Sequence, residues 1–284
     1  MAQPAFAPAW ETAAAPCASK LSGVFFISAR NALESAWATL LRHPLLALAP
    51  VLWDWLYTAI LAVTGNLPGV RAADGFQVKL QLPPALPSAG DLVGQTSMGG
   101  PGSPPWVLMI IAGLASALVQ AGYLYLLQSA VEGRAPSSGS FIDGVNRYAG
   151  RYLVWRLIVT AVLMGAALLA ASMGVVGVAL LLIAFVLAIP FYLVDFLIVS
   201  EDLSLGEALH LAPGRLLENL PTLVWIALAS LLVSAALSLL FTSAGVRTTW
   251  IVSPVWSGLG TWLALAILIT LSRSRQLTET GAQA

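Results

Sequence analysis

From Leu157 to Val194 the chain carries no charged residue. Drawn as one helix rising about 1.5 Å per residue, that run would extend roughly 55 Å, against ~30 Å of hydrocarbon in a bilayer. It must therefore enter a membrane and fold back within it. The cluster Ser172, Met173, Gly174 and Gly177 predicts the turn, with helices near 152–171 and 175–199. Composition agrees, with 58% hydrophobic residues, 9% charged residues and a mean hydropathy of +0.86. Soluble domains carry roughly 25% charged residues.

Four further stretches reach the length of a span: 45–64, interrupted by Pro50 and Asp54, 106–128, 222–243 and 249–271. Trp106, Tyr152, Trp155, Tyr192, Trp225 and Trp250 fall near span ends, as aromatic belts do. The expected fold is an all-α integral membrane protein with six transmembrane helices. Lys20, Arg30, Arg42, Arg134, Arg147, Arg151, Arg156, Arg215, Arg273 and Arg275 fall on one side, and only Arg71, Lys79 and Arg247 on the other. The positive-inside rule makes the first side cytoplasmic and puts both termini there.

The first nineteen residues are rich in Ala and Pro and lack the charged and apolar regions of a secretory signal. Residues 1–19 are expected to be a disordered cytoplasmic tail, and 20–284 a single polytopic membrane domain. The single cysteine, Cys17, excludes an internal disulfide and a Cys-based metal cluster. Thirteen basic and thirteen acidic residues leave no positive excess for nucleic acid. The segment 65–105 is rich in Gly, Pro and Ser and reads as an irregular extracytoplasmic loop over the outer face, or as a partner-binding element. Within it, residues 76–82 (FQVKLQL) alternate like a short strand.

A repeat is visible on the cytoplasmic side. Ala32–Pro44 and Ala208–Pro221 share A-L-x-x-A-x-x-x-L-L with a proline beyond, and Ser140–Trp155 occupies the equivalent place before span three. In the first copy Phe26, Leu33, Trp37 and Leu40 fall on one side, with Arg30 and Glu34 at pairing distance on another. In the second, Phe141, Val145, Tyr148 and Tyr152 oppose Asp143, Arg147 and Arg151. In the third, Ser204 and Glu207 have the spacing of a capping box, and Pro213-Gly214 is expected to interrupt the helix. Three units result, each an amphipathic helix in the headgroup plane followed by a transmembrane hairpin.

The segment 196–223 resembles the signature of the membrane domain fused to some bacterial glycerophosphodiester phosphodiesterases, a segment also found in stand-alone bacterial membrane proteins. Glu201, Asp202, Ser204, Glu207, Ala208, Leu209, Arg215 and Asn219 carry the likeness, which extends over about 140–245. Pro213-Gly214 departs from the unbroken helix of that pattern. The resemblance implies a bacterial inner-membrane location. It does not import phosphodiesterase activity, which belongs to a separate soluble barrel domain.

Polar residues inside the spans are the candidate functional positions, because burying them in hydrocarbon is costly. Asp54 can relay protons, bind a cationic headgroup, or simply hydrogen-bond a neighbouring helix. Arg156 and Asp195 lie at similar depth in spans three and four and are expected to pair. Ser230, Ser234, Ser238 and Thr242 recur every four residues in span five, as a packing seam or a polar path, with Gln120 as a cross-helix partner. His43 and His210 have no ligands at metal spacing, and no nucleophile or phosphate-binding motif is found. No cofactor is expected, and the chain is not expected to be an enzyme. The leading expectation is a non-enzymatic protein that organises membrane lipids or a membrane-protein partner. The alternative is a small-solute or lipid transporter or channel using Asp54 and the span-five stripe.

Overall fold

The computed structural model describes residues 15–63, 81–88, 106–241 and 246–281. Every regular element among them is helical: α1 (Ala15–Arg42), a 3-10 turn (Pro44–Ala47), α2 (Leu48–Val63), α3 (Trp106–Val131), α4 (Ser138–Met173), α5 (Val175–Ala188), a second 3-10 turn (Ile189–Leu193), α6 (Val194–Ser200), α7 (Leu205–Phe241) and α8 (Val246–Gly281). Four stretches are long and apolar enough to cross a membrane: Ile110–Val131, Ser138–Ala166, Leu205–Leu239 and Trp250–Gln276. Pro44–Ile60 and Val186–Ser200 are shorter apolar helical stretches.

Helix α8 is the axis of the bundle. It touches α1, α2, α3, α6 and α7. Of its apolar window 72% is buried, against 6% for Ser138–Ala166. Leu263 to Leu268 are buried without interruption, so this stretch is apolar all round because protein surrounds it. Lipid tails are as apolar as leucine, so close packing and interhelical hydrogen bonds hold such a bundle rather than exclusion of water. The α3–α4 contact illustrates the packing. A Cβ on Gly122 would lie 2.7 Å from the Phe141 ring, and one on Gly144 would lie 2.5 Å from Tyr125 Cβ.

Local chemistry explains most helix ends. Pro44 pushes His43 out of the α region, to φ −131° and ψ 67°, and so ends α1. Ser137 caps α4, its hydroxyl accepting from the Ser140 N–H at 3.1 Å. The turn predicted near 172–177 falls at Gly174, whose φ of 55° and ψ of −127° suit a residue without Cβ. The Ser204–Glu207 capping box forms reciprocally, with Ser204 N–H to Glu207 Oε2 at 2.9 Å and Glu207 N–H to Ser204 Oγ at 3.4 Å.

Several expectations are corrected. Helix α7 runs unbroken through Pro213 and Pro221. Each proline removes one backbone bond. Buried Ala208 and Ala212, and the Arg215–Glu201 pair at 3.0 Å, hold the helix in place around the first of them. The second and third amphipathic segments are not separate helices but are continuous with the helices that follow, so they extend those axes. The face that α1 turns inward is Ala29, Ala32, Ala36 and Leu40, while Trp37 is 47% exposed. Small side chains let α1 approach α7 and α8, and large ones on that face would hold it off. Trp262 Nε1 donates to Leu33 O at 2.8 Å, and Arg273 to Ser35 Oγ at 3.1 Å, so α1 crosses α8 between those two levels. Residues 15–19, expected in a disordered tail, open α1, and residues 1–14 lie outside the described residues. The proposed strand at 76–82 lies mostly outside them too, and Gln81 and Leu82 are not in a strand.

Candidate functional site

The described part of the long loop, Gln81–Ser88, does not lie over the bundle but inside it. Pro83 and Pro87 are buried, and Ala85 and Leu86, where the chain bends, pack on the main core. A Cβ on Gly260 would come within 2.6 Å of Pro87 Cβ and Cγ. Gly260 lies about 21 Å along α8 from the start of that helix at Val246. Non-helical backbone at such depth is tolerated only where protein satisfies its polar groups. The sequence LPPALP suits this, because Pro83, Pro84 and Pro87 bring no N–H to satisfy.

The groups that do need partners find them on polar residues of α7, α2 and the second 3-10 turn. Ser234 Oγ accepts from the Gln81 N–H at 3.0 Å, and Ser230 Oγ donates to the Gln81 carbonyl at 2.8 Å. Tyr192 donates its hydroxyl to the Pro83 carbonyl. At the other end Ser88 Oγ donates to Asp54 Oδ1 at 2.7 Å, and Ser253 Oγ donates to Asp54 Oδ2 at 2.8 Å. Asp54 is only 3% exposed. Ser253, Ser257 and Gly260 share one face of α8 by helical spacing. The buried Ser257 hydroxyl, between the Asp54 contact and the Pro87 contact, has no hydrogen-bond partner among the described residues, nor does Gln81 Oε1.

The structure thus brings Asp54, Ser230 and Ser234 around one inserted segment. Ser238 is buried further along α7 and donates to the Ala235 carbonyl at 2.9 Å. Thr242 lies outside the described residues. The sequence did not point to Ser88 or Ser253, and read Tyr192 only as a belt residue, because their importance depends on contacts between residues distant along the chain.

Gln120, Arg156 and Asp195 form a second cluster. The expected direct ion pair is absent. Gln120 stands between the two charges, its Oε1 accepting from Arg156 Nη2 at 2.9 Å. The Gln120 and Trp155 side chains face the Asp195 carboxyl, whose Oδ1 has no partner. A neutral amide donates and accepts at once, so it relays between the cation and the carboxylate. Gln120→Leu should cost about 1–3 kcal/mol, the range for leaving buried polar groups unmet. Thermal unfolding in detergent measures it, and an unchanged transition would deny Gln120 this role.

A third group of charges ties the ends of α4, α6 and α7 together. Arg147 and Arg151 both reach Asp202, the latter at 3.1 Å, and both lie over the Tyr148 ring, at 5.6 and 5.2 Å from its centroid. Asp202 adopts φ 52°, a left-handed conformation that, among residues with a Cβ, Asp and Asn tolerate best. Partial burial opposes ionisation of Asp202, but the Arg147, Arg151 and Tyr148 hydrogen bonds outweigh it and hold the carboxyl below its usual range. The stabilisation is therefore complete above the ordinary carboxylate pKa of about 3.9, and it disappears as pH falls through the lower folded value. With Asp202 at the surface, it amounts to less than about 1 kcal/mol. Melting curves of wild type and Asp202→Asn should differ at neutral pH and converge in acid. A gap that persists in acid would exclude this origin.

Among the described residues no three His, Cys, Asp or Glu side chains are placed to hold a metal ion. Comparison with protein-family models, with curated proteins and with solved structures returns no match.

Proposed function

We propose that this chain is a six-span protein of a bacterial inner membrane, with both termini cytoplasmic, that organises lipids or a membrane-protein partner and catalyses no reaction. In this reading 44–63, α3, α4, α5 with α6, α7 and α8 are the spans, arranged as three hairpins each led by an amphipathic segment. The two shorter apolar stretches then cross with the 3-10 turns included. The distribution of Arg and Lys supports the orientation. The likeness of 196–223 to the membrane domain of certain phosphodiesterases supports the bacterial inner membrane.

The observation that carries the organising role is the α4–α5 hairpin. Val162, Leu168, Leu169, Met173, Val176, Ile183 and Leu187 are all exposed along it. This pair of helices offers its apolar surface to lipid or to another spanning helix, while α8 is enclosed by its own chain. Purification from native membranes in mild detergent, with identification of everything retained, tests this. A stoichiometric protein or a selectively enriched lipid supports the role. Recovery of neither, together with solute flux in proteoliposomes, would refute it.

A second reading, transport, is favoured by one arrangement: the polar groups of Asp54, Ser230, Ser234 and Ser253 all meet the inserted segment or its anchor. Withdrawal of that segment would leave a polar lining. Asp54→Asn would then abolish flux, whereas partner or lipid retention by an organiser would survive it.

A further inference from the structure

At the end of the bundle opposite the inserted segment, α1, α7 and α8 enclose a crevice of about 270 Å³ lined by Ser28, Glu218, Asn219, Thr222, Thr270 and Arg273, among others. Its charges are unusual. Among the described residues Arg273 reaches the Ser35 hydroxyl but no carboxylate, which leaves its guanidinium able to meet an anion. Glu218 lies 3.0 Å from Arg215, yet Arg215 also lies 3.0 Å from Glu201. One guanidinium between two carboxylates leaves one negative charge in excess beside the crevice. Thr222 is 6% exposed and lines this space, where its hydroxyl can donate to a ligand. Thr270 donates its own hydrogen to the Ala266 carbonyl at 2.8 Å, so towards a ligand it can only accept.

We propose that this crevice binds the headgroup of a phospholipid bearing both a phosphate and a primary amine. Arg273 and Thr222 supply donors for the phosphate, as guanidinium and hydroxyl groups do for phosphate oxygens. Glu218 and Thr270 supply acceptors for the ammonium. A purely anionic headgroup satisfies only the first set. A volume of about 270 Å³ takes a phosphoethanolamine group, and the acyl chains leave along the bundle. This assignment rests on the organising role proposed above and names the lipid class for it.

Native mass spectrometry of the purified protein with equal amounts of phosphatidylethanolamine and phosphatidylglycerol of matched chains tests the site. Wild type should retain phosphatidylethanolamine at least fivefold over phosphatidylglycerol. Arg273→Gln should lower that retention about tenfold. Glu218→Gln should keep lipid bound but bring the ratio to about one. Both variants change exposed side chains, and their gel-filtration profiles should match wild type. Equal retention of the two lipids by wild type, or an Arg273→Gln variant that binds like wild type, would overturn the proposal. So would full displacement of lipid by an equimolar amount of dissolved phosphoethanolamine, which would make the ligand a soluble phosphoester. Failure on any of these counts removes the lipid class alone. The organising role fails separately, on flux without any retained partner or lipid.

Discussion

Gly260→Val is expected to expel residues 81–88 from the bundle. The added branched side chain would occupy the space of Pro87, whose ring atoms lie 2.6 Å from even an ideal Cβ at this position. The opposing atoms are a proline ring fixed by its own backbone, so a rotamer change cannot make room. Overpacking of this kind costs about 1–3 kcal/mol where the neighbours stay put. Here the lower-energy response is loss of the segment, because the bonds that hold it are few: Ser230, Ser234, Tyr192 and Asp54 through Ser88. The direct measurement is thiol labelling of Ala85→Cys in a Cys17→Ser background. The thiol should be protected in the parent chain and should react at least ten times faster with Gly260→Val present. Equal rates would mean that the segment is not lodged against Gly260.

The second large effect is expected at Asp54. Asp54→Ala removes the acceptor of both the Ser88 and the Ser253 hydroxyls. Ser253 is fully buried and Ser88 half-buried, so the loss should be about 1–3 kcal/mol for the Ser253 donor, with a smaller share from Ser88. Asp54→Asn retains one acceptor oxygen, so its loss should be about half. Thermal unfolding of the two variants beside Ser253→Ala resolves the contributions. If Asp54→Ala melts with wild type, the carboxylate does not anchor the segment, and its burial requires another explanation.

Much of this was legible in the chain itself. The charge-free run of 157–194 demanded a turn, and Gly174 provides it because a φ of 55° with a ψ of −127° suits a residue without Cβ. Asp54 drew attention because a carboxylate among Trp53, Trp55 and leucines is expensive wherever it ends up. Its partners were not legible. Ser88 and Ser253 are 34 and 199 residues away, and a serine announces nothing about which carboxylate it will meet. The loop composition said irregular backbone, but not that three prolines make such backbone easy to bury. Pro213 misled for a related reason: local propensity argues for a break, and the burial of Ala208 and Ala212 in the turn before a single lost bond argues more strongly against one. Arg156 and Asp195 were rightly placed at one level, while Gln120, arriving from a third helix, could not be inserted between them by reading either span.

The enclosure of α8 has a consequence for biosynthesis. Ribosomes deliver α8 after every helix it touches, so the earlier spans must wait in the bilayer without the helix against which they pack. Insertion and assembly are then separate stages, as membrane helices allow. During the interval Asp54 lacks its Ser253 contact, and the alanine face of α1 has no axis to dock on. Nascent chains halted before Ser253 should therefore be the forms most exposed to membrane proteases, and arrival of the last helix should convert a loose set of spans into a protected bundle.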